Sequence, residues 1–226
     1  MPLPMVHLSV AKKIADAGFP VKELPQFYLG SISPDAIHMR QDADRLAKNV
    51  THLLPAKKEK IHSWDDRSED EYFELMRDFI NANMNKTNAD FLMGYAAHIL
   101  TDMLWTKRVF GKFTEKFNMS GAPAADRQKA YYRDTDIVDY LMYNESDWRH
   151  DVWQCLQNAE YSDFLNLLSA QEIKLWNQRT LTWYENPENQ YKFSGTPIYI
   201  TKPDIENFIS SCAKTILANM KVATQV

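Results

Sequence analysis

The fold is decided by residues 88–107, whose sequence is NADFLMGYAAHILTDMLWTK. Apolar side chains lie almost all the way round a helix drawn through this stretch, which predicts a helix in the core. His98 and Asp102 share one face of that helix, and Gly94 leaves space on it. An imidazole and a carboxylate removed from water need a partner or a cation. The pair is therefore either a plain hydrogen bond inside the core or part of a buried metal site.

Length and charge narrow the class of protein. The chain has 226 residues, of which 45% are hydrophobic, and this suits one domain spanning residues 1–226 with a large core. A net charge of -4 and scattered basic residues, apart from the cluster Lys57, Lys58 and Lys60, predict no nucleic acid partner. A nuclease would not need a basic surface of this kind, so the charge argues against a nucleic acid partner but not against nuclease activity.

The N-terminus and the cysteines narrow the location and the kind of metal ligand. Residues 1–13, MPLPMVHLSVAKK, lack a basic leader followed by a long apolar run, and no stretch reaches the ~18 apolar residues of a membrane span. We therefore expect a cytoplasmic protein without a transmembrane segment. The two cysteines indicate neither a disulfide framework nor a thiolate cluster, so a metal here would be held by histidine and carboxylate.

The helical pattern continues along the whole chain. Six glycines and long stretches with a 3.6-residue period predict an all-α, single-domain multi-helix bundle. Thr87 and Asp90 resemble a capping box before the core helix. The long segment 186–202 is a candidate lid, and its aromatic and aliphatic residues between Tyr191 and Ile200 also fit a short hairpin. We expect helices at about 7–17, 34–49, 68–83, 88–107, 124–142, 146–157, 170–184 and 203–221.

The first half of the chain holds more groups that suit a metal. Imidazole and carboxylate ligands fit zinc, iron or manganese, and a hydrolytic site with two ions has them ~3.5 to 4 Å apart. The candidate ligands are His7, Asp35, His52, His98 and Asp102. Each of the first three has an ordinary alternative, as an exposed helix start, an N-cap or a polar residue at a helix end. Taken jointly these alternatives are weaker, because two of the five already lie in a core helix that needs partners.

These motifs, in this order, resemble the zinc-dependent phospholipase C family. The stretches that carry the resemblance are MVHLSVAKKI with His7, GSISPD with Gly30 and Asp35, NVTHLL with His52, and GYAAHILTD with Gly94, His98 and Asp102. They lie within about the first 107 residues. The resemblance implies an all-α fold of the phospholipase C and P1 nuclease type and hydrolysis of a phosphodiester or phosphoester bond.

The resemblance also implies how the ligands divide. Asp35, His52, His98 and Asp102 would hold one ion, and Asp102 would bridge to a second ion held by His7. The only histidine after residue 107 is His150, so the third ion of the secreted enzymes is not expected. The resemblance therefore leaves one or two divalent ions, with Zn²⁺ as the expected metal, and places the chain closer to the shorter members of the family.

Catalytic roles follow from metal-assisted hydrolysis. Asp35 is the candidate general base, since a ligand carboxylate faces the attacking water. His38 lies three residues after Asp35 on the same side, and Arg40 offers a planar fork for a phosphate oxygen. A solvated turn with a surface arginine is the alternative for both. The substrate is expected to be a small phosphoester or a phospholipid, and nothing in the sequence indicates the oligomeric state.

Three other interpretations compete with this one. His150 and Asp151 form an adjacent pair, as in the HD-type phosphohydrolases, with His98 as the upstream histidine. The acidic stretch with Asp134, Asp136 and Asp139 is expected to be a solvated helix face, because no calcium-binding loop follows. A non-catalytic helical module that binds a metal or a partner is the third alternative.

Overall fold

The computed structural model describes residues 2–54 and 67–223, and this part of the chain is built from helices. No β-strand occurs in it, apart from an isolated bridge between Phe164 and Leu168. The predicted all-α class is therefore confirmed. In chain order the helices are α1 (Pro4–Asp16), α2 (Leu24–Ile32), α3 (Arg45–Thr51), α4 (Glu69–Asn83), α5 (Ala89–Trp105), α6 (Gly111–Met119), α7 (Arg127–Glu145), α8 (Arg149–Gln157), α9 (Ala170–Trp183) and α10 (Lys202–Ala223).

Helix α5 is the centre of the fold, as its sequence predicts. Every residue from Asp90 to Trp105 is buried. Its N-cap is Asn88, whose side chain accepts a hydrogen bond from the Phe91 amide, so the expected box between Thr87 and Asp90 is wrong. Asp90 instead accepts hydrogen bonds from the amides of Lys22 and Glu23, just before α2 begins. Because these amides lie at the positive end of a helix, Asp90 fixes α2 against α5.

The contact between α2 and α5 depends on two glycines. A Cβ atom on Gly94 would lie 2.1 Å from the Phe27 carbonyl oxygen, and one on Gly30 would lie 2.2 Å from the Phe91 carbonyl oxygen. Only residues without a side chain permit this approach of two backbones. The space at Gly94 is therefore filled by α2, rather than left open beside His98.

The expected helix over 34–49 is wrong, because the structure divides it. A 3₁₀-helix covers Ser33–Met39, Asp42 adopts a left-handed φ of 58°, and α3 starts only at Arg45. The Asp44 side chain caps α3 by accepting a hydrogen bond from the Ala47 amide. Short polar side chains such as that of Asp44 commonly form such bonds with nearby backbone amides, and these bonds favour a new helix start over a continuous helix. Helices α2 and α6 were not expected at all.

The segment 186–202 does not form the expected hairpin. Its first part is a 3₁₀-helix, Pro187–Phe193, and its second part is held by Asp134. One carboxylate oxygen of Asp134 accepts hydrogen bonds from the amides of Ile198, Tyr199 and Ile200. The role of this segment as a lid stays a prediction. The connector with His62 and the Lys57, Lys58 and Lys60 cluster lies outside the described residues.

The acidic face predicted on α7 is also wrong, since Asp134 and Asp139 are buried. Asp139 accepts hydrogen bonds from the Met5 amide, at 3.1 Å, and from the Tyr184 hydroxyl. Helix α1 has no side-chain cap of its own at Leu3. Asp139 therefore caps α1 from a distant part of the chain and fixes the helix that carries His7.

Burial of Asp139 predicts a pH dependence of stability. Burial raises the pKa of Asp139 to about 7, against hydrogen bonds from Tyr184 and Met5 that lower it. The folded state therefore binds more protons than the unfolded state between the ordinary pKa and pH 7, and stability falls as pH rises through this range. For Asp139→Asn we expect the free energy of unfolding, relative to the native chain, to increase by up to about 4 kcal/mol between pH 4 and pH 8. Denaturant titrations at several pH values measure this difference, and a difference independent of pH would contradict it.

Candidate metal centre

The five predicted metal ligands come from four separate elements and meet at one place. His7 lies on α1, Asp35 on the 3₁₀-helix, His52 at the C-cap of α3, and His98 and Asp102 on α5. His7, His52, His98 and Asp102 are all buried. The Asp35 side chain is 13% exposed and is the most accessible of the five. Asp35 therefore marks the side of the cluster that opens towards solvent.

Two overlapping groups in this cluster have the geometry to hold an ion. One consists of His7, Asp35 and His98, and the other of His52, His98 and Asp102. Within each group the candidate ligand atoms lie within 4.8 Å of one another. The two groups share His98, whereas in the arrangement that the family resemblance implies Asp102 is the ligand shared by two ions. Asp102 also reaches His7, because Oδ1 of Asp102 lies 3.5 Å from Nε2 of His7.

The distances between the candidate ligand atoms are closer to those between two ligands of one zinc ion than to the lengths of hydrogen bonds. Nε2 of His52 lies 3.4 Å from Oδ1 of Asp35 and 3.6 Å from Oδ2 of Asp102. Nε2 of His98 lies 3.8 Å from the same Asp102 oxygen. Hydrogen bonds between charged groups are ~2.7 to 2.9 Å long. Two ligands bound at ~2.0 to 2.1 Å to a tetrahedral zinc are ~3.3 to 3.4 Å apart. The gaps are therefore close to those expected around an ion.

Buried polar atoms without hydrogen bonds converge in the cluster. Nδ1 and Nε2 of His7, Nε2 of His52, Nε2 of His98 and both carboxylate oxygens of Asp102 have no partner. Nearly all buried polar groups in proteins are satisfied, and an unsatisfied one costs ~1 to 3 kcal/mol. The convergence of these unsatisfied nitrogens and oxygens is explained if they bind a cation. The donor set, three imidazoles and two carboxylates, therefore fits zinc.

Hydrogen bonds outside the cluster orient two of the imidazoles. Nδ1 of His98 donates to the Ser31 carbonyl oxygen at 2.9 Å, and Nδ1 of His52 donates to the Lys48 carbonyl oxygen at 3.0 Å. A carbonyl only accepts, so Nδ1 carries the proton and the lone pair of Nε2 faces the cluster. The His7 ring stacks on the His98 ring with centroids 3.7 Å apart. These contacts hold the rings in a ligating orientation before any ion binds.

Burial favours the neutral forms of His7 and His98, whereas a nearby positive charge keeps the carboxylate of Asp35 ionised. Burial lowers the pKa of His7 well below its usual range and also lowers that of His98, whose neighbours Asp102 and Asp35 oppose the effect. Burial alone would raise the pKa of Asp35, but the Lys48 ammonium, 3.0 Å away, holds it well below its usual range. Neutral imidazoles and an ionised carboxylate are the protonation states that metal ligation requires.

Lys48 is a residue of the site that the sequence did not suggest. Its Nζ lies 3.0 Å from Oδ1 of Asp35 and 3.1 Å from Nε2 of His38, and its side chain is 25% exposed. His38 lies beside Asp35, as expected, with its Nε2 atom 3.7 Å from the same carboxylate oxygen. A 3₁₀-helix has three residues per turn, so Asp35 and His38 stand directly above one another. Lys48 and His38 thus border the open side of the cluster.

Arg40, the other predicted substrate-binding residue, is engaged in an ion pair. Its guanidinium donates to both carboxylate oxygens of Glu172 and to the Leu167 carbonyl oxygen. A bidentate pair of this kind ties the chain after the 3₁₀-helix to α9. The predicted contact between Arg40 and a phosphate stays a prediction that requires this pair to open.

The HD-type alternative gains no support from the structure. His150 and Asp151 are both exposed on α8, and among the described residues neither belongs to a group that could hold an ion. Cys155 and Cys212 are free and also belong to none of these groups.

The fold and the cluster define a helical protein with buried histidines and aspartates that could hold a metal ion. The chain belongs to the zinc-dependent phospholipase C family, because the model of that family matches residues 6–175 of the 226. The match continues well beyond the motifs in the first half of the chain. The name of the family and the two ligand groups together indicate zinc as the cofactor. Neither the curated proteins nor the solved structures provide a match. Across the described residues, the helices are too short or too polar to cross a membrane.

Proposed function

We propose that this protein is a zinc-dependent hydrolase of phosphodiester bonds, acting on a phospholipid or a soluble phosphoester. The observation that carries the proposal is the convergence of unsatisfied imidazole nitrogens and Asp102 oxygens beside an accessible Asp35. Membership of the family supports a metal-dependent, phospholipase-like hydrolase. A buried structural ion would not need a partly exposed ligand such as Asp35, whereas a catalytic ion needs a side from which substrate enters.

The residues of the site divide the work of hydrolysis. His7, Asp35, His52, His98 and Asp102 would hold zinc, which supplies a Lewis acid and lowers the pKa of coordinated water towards ~7. Asp35 lies at the open side of the cluster, and this position makes it our candidate for accepting a proton from the attacking water. Lys48 offers a positive charge beside Asp35, where a phosphoryl oxygen develops negative charge. His38 stands next to Lys48 and is our candidate for contacting the leaving group.

Turnover with and without metal tests the proposed function. We expect the zinc-loaded protein to hydrolyse dihexanoyl-phosphatidylethanolamine or bis-(p-nitrophenyl) phosphate, to lose this activity with a chelator, and to regain it when zinc is restored. A protein that binds zinc and is stabilised by it, but turns over neither substrate nor a wider set of phosphodiesters, would support the non-catalytic alternative instead.

Lys48 provides a more specific prediction. In Lys48→Met we expect kcat/KM to fall by ~10²-fold or more, because one charged contact to the transition state is lost, while the zinc content stays the same. Steady-state kinetics and elemental analysis measure the two quantities. Lys12→Met is the matched control, since Lys12 forms an exposed pair with Asp16 on α1 and is expected to have no effect. Equal rates in the two variants would exclude a catalytic contact for Lys48.

A further inference from the structure

A row of aromatic rings and cations lies along α9 and the 3₁₀-helix Pro187–Phe193 that follows it. The Arg179 guanidinium lies over two rings, 4.8 Å from the centroid of Trp176 and 4.1 Å from that of Trp183. The Lys192 ammonium lies 4.6 Å from the centroid of Trp183 and 5.9 Å from that of Tyr191. We call these five residues the aromatic–cation row. Stacking on two rings holds the plane of the Arg179 guanidinium in a fixed orientation.

The row begins at the open side of the metal centre. The Trp176 ring lies 5.9 Å from the His38 ring, measured between centroids. His38 in turn lies beside Asp35 and Lys48. Burial lowers the pKa of Arg179, and the Asp35 carboxylate opposes this effect. A ligand bound at Asp35 therefore has Arg179 within its neighbourhood.

Three other arginines of the described chain are each paired with a carboxylate, whereas Arg179 is not. Arg40 is paired with Glu172, Arg108 with Glu69 and Arg133 with Asp134. Across residues 2–54 and 67–223, by contrast, no carboxylate forms an ion pair with Arg179. A guanidinium has five N–H donors and no acceptor, and it stays charged at any physiological pH. Within these described ranges, the Arg179 donors are thus left for an anionic ligand.

We propose that Arg179 binds a second anionic group of the substrate, a carboxylate or a phosphate on the headgroup, while the metal centre takes the scissile phosphate. The proposal rests on the proposed function and adds a substrate class to it. Lys192 lies further along the row and extends the positive charge, although Asp136 is close enough to offset part of it. The rings themselves do not favour a quaternary ammonium headgroup, because the two cations already occupy their faces and would repel it.

Binding of two soluble headgroup phosphates tests this proposal without turnover. O-Phosphoserine and O-phosphoethanolamine differ by a single carboxylate, so their affinities for the zinc-loaded protein isolate the second anionic contact. By titration calorimetry we expect O-phosphoserine to bind ~10-fold more tightly, as for a hydrogen bond between charged groups. In Arg179→Gln the preference should disappear, with the affinity for O-phosphoethanolamine unchanged. Arg179→Lys keeps the charge without the planar fork and should retain part of the preference.

A matched control is available on α8. Arg149 also lies over an aromatic ring, 4.2 Å from the centroid of Tyr143, and donates to the Tyr143 carbonyl oxygen. Arg149→Gln should leave both affinities unchanged. Equal affinities of the native protein for the two probes, no binding of either, or an equal loss for both in Arg179→Gln would each overturn the proposal.

Hydrolysis of two lipids distinguishes failure of this proposal from failure of the proposed function. Hydrolysis of dihexanoyl-phosphatidylserine and dihexanoyl-phosphatidylethanolamine at equal rates, without a preference in binding, would retain the hydrolase and remove the role of Arg179. A preference that depends on Arg179 without hydrolysis of either lipid would retain the anion contact and remove the hydrolase.

Discussion

The affinity for zinc is expected to fall by more than ~100-fold in Asp102→Asn. Replacing a residue that only orients a metal ligand typically costs ~10- to 100-fold, and the loss of a ligand itself should cost more. Both carboxylate oxygens of Asp102 are buried without a hydrogen bond, and they lie 3.5 Å from Nε2 of His7 and 3.6 Å from Nε2 of His52. An amide has no negative charge and only one oxygen. Elemental analysis after desalting, followed by competition with a chelator, measures the loss.

Stability without metal should change in the opposite direction. A carboxylate buried without partners costs free energy, so the metal-free variant should be at least as stable as the metal-free native protein. Zinc at ~1,000 times its dissociation constant should stabilise the native protein by about 4 kcal/mol and the variant much less. If Asp102 were a plain hydrogen-bond partner in the core, the metal-free variant would instead lose ~1 to 3 kcal/mol.

His150→Ala is the control for metal binding. His150 is exposed on α8 and lies outside both candidate groups, so its loss should change neither zinc content nor activity. A drop in zinc content in this variant would revive the HD-type alternative. Unchanged zinc content in both His150→Ala and Asp102→Asn would mean that the ion binds elsewhere.

The sequence predicted the centre of the fold because the signals there are local. A helix that is apolar all round must be buried, and the pair His98 and Asp102 on one face of it requires partners. Helix α2 was missed for a related reason. Its residues from Gln26 to Ile32 are all buried, so a short apolar run carries no period that distinguishes a helix. The break before α3 depends on Asp44 as a cap, a choice that local chemistry makes against helix propensity.

The residues that border the site were harder to find, because only tertiary packing brings them together. Lys48 meets Asp35 across the turn between the 3₁₀-helix and α3. A partial signal was present, since Lys48 and His52 are four residues apart. Arg179 also had a signal, in WNQRTLTW, where Trp176 and Trp183 flank it at helical spacings. Neither spacing indicates that a metal centre lies nearby.

Loss of the folded state is the expected result of Gly94→Ala. The added Cβ would lie 2.1 Å from the Phe27 carbonyl oxygen and 2.9 Å from the Ser31 amide nitrogen, so α2 must move away from α5. These are backbone atoms that cannot turn aside as a flexible side chain can. Overpacking of a core costs ~1 to 3 kcal/mol when side chains absorb it, and we expect a larger loss here. Urea denaturation followed by circular dichroism measures it.

The control for Gly94→Ala is Gly111→Ala in α6. A Cβ on Gly111 meets no atom within 4 Å, and alanine favours a helix over glycine by up to ~1 kcal/mol, so this variant should be as stable as the native chain or more stable. Movement of α2 would also displace the Ser31 carbonyl oxygen, which accepts the hydrogen bond from Nδ1 of His98. Any folded fraction of Gly94→Ala should therefore bind zinc weakly, because the glycine that lets two helices touch also positions a ligand. Native stability and native zinc affinity in this variant would show that the two helices do not require such a close approach.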